Sequence, residues 1–135
     1  MDVAGELLLY HESMPRVFLA DTQSDERKDL HGLLRDLKMN VVGESADWST
    51  TLARAPMTGS DMLLVDWNML PSDKGEQSLA QLRLACPNAI VILLLGHLDA
   101  RHQGDLPADS DAITSLGAPA EFMTERLRVA VESIR

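Results

Sequence analysis

Two aspartates occupy matching places in this chain of 135 residues. Asp21 closes the apolar run VFLA, Val17 to Ala20, and Asp66 closes the run DMLLVD, Asp61 to Asp66. Short apolar runs bounded by polar residues read as strands covered on both faces. If both strands lie in one parallel sheet, their carboxyl ends share an edge, and such sheets place their working groups there. The two carboxylates then stand a few Å apart and repel each other unless a cation or a proton is shared. Hard oxygen donors of this kind suit Mg²⁺, which takes a few carboxylates and keeps waters. A strand-end Asp beside Mg²⁺ can also attack a phosphoryl group and form an aspartyl phosphate. A lone Asp in such a place usually caps the turn that follows it. Repetition on two strands raises the chemical reading above that plainer one.

The other reactive residues form no comparable constellation. His11, His31, His97 and His102 are scattered. His97 follows the fourth apolar run, so Asp21, Asp66 and His97 make a conceivable transition-metal set, against the plainer reading of His97 as a solvent-facing loop residue. No Gly-rich phosphate loop and no G-x-S-x-G elbow occurs. Cys86 is the single cysteine, which excludes a disulfide framework and fits a reducing compartment. It reads as a small core or boundary residue at a helix end. Trp67 is either a loop aromatic for partners to grip or a cover over the sheet edge. The methionines Met39, Met57, Met62, Met69 and Met123 read mostly as core.

Composition narrows the class. Lys and Arg number 12 against 21 Asp and Glu, a formal net charge of −9. That field repels phosphate backbones, so direct nucleic-acid binding by this domain is not expected. Hydrophobic residues at 45% and charged residues at 24% fit one globular domain with an aliphatic core, aromatics being only 4%. The run Ala89 to Leu95 is too short to span a bilayer, and Asp2 and Glu6 stand where a signal peptide would be basic. No membrane association is expected, and the expected address is the cytoplasm.

The elements that must position the acids follow from periodicity. After Asp21, Ser24 reads as an N-cap, and Leu30, Leu33, Leu34 and Leu37 form one helical stripe ending near Lys38. Asn40 and the VVG at Val41 to Gly43 read as a second short strand. Ser45 reads as the cap of a helix through Ala55 carrying Trp48 and Leu52. Asn68, Pro71, Ser72, Asp73 and Gly75 form a polar loop after Asp66. Glu76 to Ala85 is helical, with Leu79 and Leu82 on one face, and Ala89 to Leu95 is the strongest strand. Gly104 and Pro107 break the stretch Gly96 to Ser110. Asp111 to Ser115 reads as a last strand, and Pro119 opens a helix to about Ile134. Strands alternating with helices give an α/β domain with a parallel sheet. Residues 1–15, with their GELLLY patch, read as an extension ahead of a domain spanning 16–135.

The stretches VFLADTQSDERKDLHGLLRDL and DMLLVDWNMLPSDKGEQSLAQLR resemble the receiver domains of bacterial two-component response regulators, and the resemblance runs over residues 16–134. It implies a three-layer αβα flavodoxin-like (βα)5 fold. Its five parallel strands take the order 2-1-3-4-5, with a short or irregular fourth helix. In that family the first strand ends in a pair of acids and the third in the phosphoacceptor Asp. A backbone carbonyl two residues after the acceptor helps hold Mg²⁺. The resemblance puts Asp21 at the first acid, Asp66 at the phosphoacceptor position and Asn68 at the metal-loop residue. Met69, Pro71 and Gly75 match the loop, which carries one extra residue near Leu70.

Four positions depart from the family. Thr22 replaces the second acid, and its neutral hydroxyl is a weaker Mg²⁺ ligand. Leu95 stands where a Thr or Ser bonds the phosphoryl group. Ser115 stands where a Lys pairs with it, and Ala112 replaces the aromatic that moves in the switch. Each charged hydrogen bond lost from such a site is worth roughly 1.5–3 kcal/mol. The expectation is therefore an atypical pseudo-receiver. It is non-enzymatic and acts by contact with a kinase, a phosphotransfer protein or an output module, or as a homodimer through its fourth–fifth element face. The alternatives are a working phosphoacceptor at Asp66 and a small α/β metal or nucleotide binder.

Overall fold

The computed structural model describes residues 14–71, 74–94, 112–114 and 127–129. Five strands form one parallel sheet: β1 (Arg16–Ala20), β2 (Asn40–Ser45), β3 (Met62–Asp66), β4 (Ile90–Leu94) and β5 (Ala112–Thr114). Their order is β2-β1-β3-β4-β5, as the doubly wound reading requires. Helices α1 (Ser24–Asp36), α2 (Trp48–Arg54) and α3 (Gly75–Ala85) make the first crossovers.

Both sheet faces are covered, which is why the inner strands β1, β3 and β4 carry continuous apolar runs rather than alternating ones, whereas the edge strand β2 is more polar. Val17 and Leu19 of β1, Met62 and Leu64 of β3, and Ile92 and Leu94 of β4 point to one face. There they meet Leu30 and Leu34 of α1, together with Leu127. Phe18 and Ala20, Leu63 and Val65, and Val91 and Leu93 point to the other face, against Leu79 and Leu82 of α3 and Ala55. Leu33 and Leu37 complete the expected α1 stripe from the margin of the first cluster. Each fully buried aliphatic side chain of this kind contributes about 1.5–3 kcal/mol.

Several local expectations shift. Gln23, not Ser24, is the N-cap of α1, because the carboxylate of Asp21 already takes the Gln23 N–H. Asp47, not Ser45, caps α2, its carboxylate accepting from Thr50 N at 2.8 Å. Ser45 is instead the last residue of β2, and its carbonyl accepts from Asp21 N. Met57 is 85% exposed rather than core, since α2 leaves through a 3₁₀ turn, Ala55–Met57, that turns it outward. Met39, Met62 and Met69 are buried as expected.

Helix α1 ends in a Schellman motif. Met39 N bonds Leu34 O, and Lys38 N bonds Arg35 O. Lys38 takes the left-handed position, φ 61°, that glycine usually fills.

The expected N-terminal extension, the irregular fourth segment from Gly96, His97, Leu95 and Ser115 fall outside the described residues. So does most of the last helix; only Leu127 to Val129 are described, and they are helical.

Candidate functional site

Strand register brings the two acids together. Ala20 of β1 pairs with Val65 of β3, so the next residue of each strand, Asp21 and Asp66, stands side by side at the carboxyl edge. Leu94 pairs with Asp66 on the other side. Both acids are buried, Asp21 completely and Asp66 to 4% exposure.

The two carboxylates are held differently. Asp66 is satisfied at both oxygens. Its Oδ1 accepts from Asn68 N at 3.0 Å, which caps a 3₁₀ turn over Trp67–Met69. Its Oδ2 accepts from Thr22 Oγ1 at 2.9 Å and more distantly from Thr22 N at 3.4 Å. Asp21 is satisfied at one oxygen only. Its Oδ1 accepts from Gln23 N at 2.8 Å, while its Oδ2 is buried and accepts no hydrogen bond among the described residues. Burial, with Asp66 and Glu26 as neighbouring carboxyls, pushes the Asp21 carboxyl up to about 7, although the Gln23 N–H opposes the rise. At neutral pH this acid is therefore poised between its two charge states.

Two participants escape a reading of the sequence. Glu26 lies in the first turn of α1, where its charge suits the helix dipole, yet it also faces Asp21. Arg27 crosses behind the pocket, its Nη1 donating to the Asp21 carbonyl at 2.6 Å and its Nε lying 3.9 Å from Glu44. The spacing of Asp21 and Arg27 is the only sequence signal for that contact.

The loop after Asp66 is packed rather than open. Trp67, Met69 and Leu70 are buried in the second core cluster. Trp67 thus covers the sheet edge and offers no aromatic grip. Its ring lies against Gly75, where an added Cβ would meet the Trp67 ring at 2.7 Å, so only glycine fits the start of α3. Asn68 itself is exposed. Ala112 opens β5 and pairs with Ile92, placing it two residues before the strand end.

Asp21, Asp66 and the backbone carbonyl of Asn68 are hard oxygen ligands by type, and the buried Asp21 Oδ2 accepts no hydrogen bond among the described residues. That set fits one Mg²⁺, although Thr22 supplies a neutral oxygen where a third carboxylate would hold it harder. Among the described residues no group of three His, Cys, Asp or Glu stands close enough to hold a metal, and His97 lies outside them. Cys86 is half-buried, and burial raises its thiol pKa, so it is no thiolate nucleophile.

No family model and no curated protein matches this chain. Solved structures do match. The REC domain of RcsB from Salmonella enterica serovar Typhimurium, determined with phosphomimetic BeF3⁻, superposes with a TM-score of 0.74 at 17% identity, over 90% of this chain and 98% of that one. The REC domain of AraT, a response regulator from Geobacillus stearothermophilus, gives 0.73 at 21% identity, over 90% and 95%. A CheY-like receiver domain protein from Methanospirillum hungatei JF-1 gives 0.74 at 17% identity, over 90% and 96%. With its sheet order, two covered faces and paired strand-end acids, the chain has the fold of response-regulator receiver domains.

Proposed function

We propose that this chain is an atypical receiver of a two-component or phosphorelay type system, non-enzymatic and cytoplasmic, that signals by binding a protein partner. The domain occupies residues 16–135, with 1–15 as an extension. The observation that carries this reading is the hydrogen bond from Thr22 to Asp66. Thr22 occupies the place of an acid in the receiver pattern, and its hydroxyl satisfies the acceptor-position carboxylate that an incoming phosphoryl group would need. Leu95, Ser115 and Ala112 stand in the sequence where the pattern has the hydroxyl, the ammonium and the moving aromatic. A phosphorylated Asp66 would therefore lack the groups that report it. Mg²⁺ held by Asp21, Asp66 and the Asn68 carbonyl would supply neutralising charge to phosphoryl oxygens. The partner is a kinase, a phosphotransfer protein or an output module, with self-association through the fourth–fifth element face as a further contact. Among the described residues no helix is long and apolar enough to cross a membrane.

One observation favours a second reading, a working phosphoacceptor. Asp66 lies at the strand end beside an acid whose Oδ2 has no donor among the described residues, as a metal-assisted acceptor requires. Incubation with acetyl phosphate and Mg²⁺, read by intact mass, separates the two. No phosphate-sized increment at saturating donor is expected. An increment that disappears in Asp66→Asn would overturn the proposal in favour of the acceptor. The third reading, a metal or nucleotide binder in the acidic crevice, predicts a thermal shift with metals or nucleotides; a flat response removes it.

A further inference from the structure

A second concave site lies at the carboxyl end of β2, beside the acid pair, and its electrostatics are inverted. Helix α1 presents Ser24, Arg27 and Lys28 at i, i+3 and i+4, which is one face of a helix. Helix α2 presents Thr50 and Arg54, also one turn apart. The two faces converge across the end of β2 on a cleft of about 450 Å³. Three cations and one carboxylate, Glu44, line it, in a chain whose net charge is −9. Glu44 is already engaged, 3.9 Å from Arg27 Nε and 3.9 Å from His31 Nε2. Lys28 and Arg54 have no ion-pair partner among the described residues. The Ser24 hydroxyl likewise makes no hydrogen bond within them, while the Thr50 hydroxyl lies beside the Asp47 carboxylate.

Three clustered cations repel each other, and the one carboxylate among them, Glu44, offsets only part of that charge, so their convergence on a cavity requires a reason. We infer that this cleft is a binding site for a small phosphorylated anion, a phosphomonoester or a diphosphate. Its volume lies within the range of small-ligand sites. Two guanidinium groups and an ammonium, with two hydroxyls beside them, supply the charge-assisted donors that phosphate oxygens take. The occupant is small because a polyanionic chain running out of the cleft would meet a surface of net negative charge. It is recognised by its phosphate because no aromatic side chain among the described residues lines the cleft to stack a base. Arg27 connects this cleft to the acid pocket, since its Nη1 holds the Asp21 carbonyl. Occupancy of the cleft therefore has a route to the strand-end acids through a single side chain, Arg27, that does not pass through phosphorylation.

The test is calorimetric titration of the full chain with inorganic pyrophosphate, in EDTA and at low ionic strength. Saturable binding with a Kd below about 1 mM is expected, weakening at least about tenfold in Lys28→Ala and in Arg54→Ala. Both residues are exposed, so these variants keep the fold, which circular dichroism verifies. Asp66→Asn must bind as the wild type does; this separates the cleft from the acid pocket, so the proposed signalling role can fail while the cleft stands. Absence of saturable binding at about ten times that concentration overturns the inference. Equal affinity in the Lys28→Ala/Arg54→Ala double variant overturns it as well. A hexameric Glu peptide that binds more tightly than pyrophosphate would assign the cleft to an acidic protein segment and refute the small-phosphate class.

Discussion

The acid pair should make this fold less stable as pH rises through neutrality, and replacing Asp21 by Asn should abolish that loss. In the unfolded chain this carboxyl titrates near 3.8, and in the folded protein burial and two neighbouring carboxyls raise it to about 7. The sign follows directly. Below 3.8 both states hold the proton and no penalty exists. Between the two values the unfolded chain releases it while the folded protein retains it, so stability falls as pH rises, and the fall ends above about 7. Each unit is worth about 1.4 kcal/mol, so a gap of about three units sets a ceiling of about 4 kcal/mol. Asparagine keeps an oxygen for Gln23 N and puts an uncharged N–H₂ where Oδ2 has no partner among the described residues. Urea unfolding at intervals from pH 4 to pH 8 in EDTA, followed by circular dichroism, measures the difference between wild type and Asp21→Asn. The variant should be more stable at pH 8 by about 2–4 kcal/mol, with the advantage gone near pH 4 and m unchanged. Parallel pH curves for the two proteins would refute the assignment of a raised pKa to Asp21.

Other changes probe neighbouring contacts. Thr22→Asp replaces the donor on Asp66 Oδ2 by a third carboxylate. It should tighten Mg²⁺ binding at least about tenfold by calorimetry, while lowering metal-free stability at pH 8. Unchanged Mg²⁺ affinity would remove Thr22 from the site. Gly75→Val drives a side chain into the Trp67 ring. It should cost about 1–3 kcal/mol and shift tryptophan emission to the red. Lys38→Gly relieves the left-handed position at the end of α1 and should stabilise by up to about 1 kcal/mol in thermal unfolding.

What was legible in the sequence was whatever depends on local pattern. The apolar strand runs, the Leu30–Leu34 stripe and the two strand-end acids all belong to single segments, and the crossover rule then leaves few topologies. Register was not legible. It alone puts Ala20 opposite Val65, and with that Thr22 within reach of Asp66, so Thr22 reads from sequence as a weak ligand when it is first a hydrogen-bond donor. The capping errors have a similar origin. Ser24 and Ser45 are good caps by residue type, but Asp21 and the β2 ladder had already claimed the backbone groups around them. The basic cleft shows why spacing is insufficient. Arg27 and Lys28 share a helix face on any reading, yet only packing of α1 and α2 against the end of β2 brings Arg54 to them.

The two oxygens of Asp21 separate architecture from chemistry. Oδ1 fixes the turn into α1 through Gln23 N, a task that asparagine would perform equally well. Oδ2 performs no task within the described residues, although leaving a buried charged acceptor unsatisfied costs at least about 1–3 kcal/mol. A carboxylate oxygen buried at a cost, with no donor among the described residues, is suited to a cation that arrives from outside. At the adjacent carboxylate the opposite holds, because Asp66 is satisfied twice over by Asn68 and Thr22. The pocket therefore offers a cation a seat at Asp21 while it keeps Asp66 occupied. Mg²⁺ at pH 8 should then protect the wild type against urea and leave Asp21→Asn unprotected. Equal protection of both would place the cation elsewhere and remove the acid pair's claim to be a metal site.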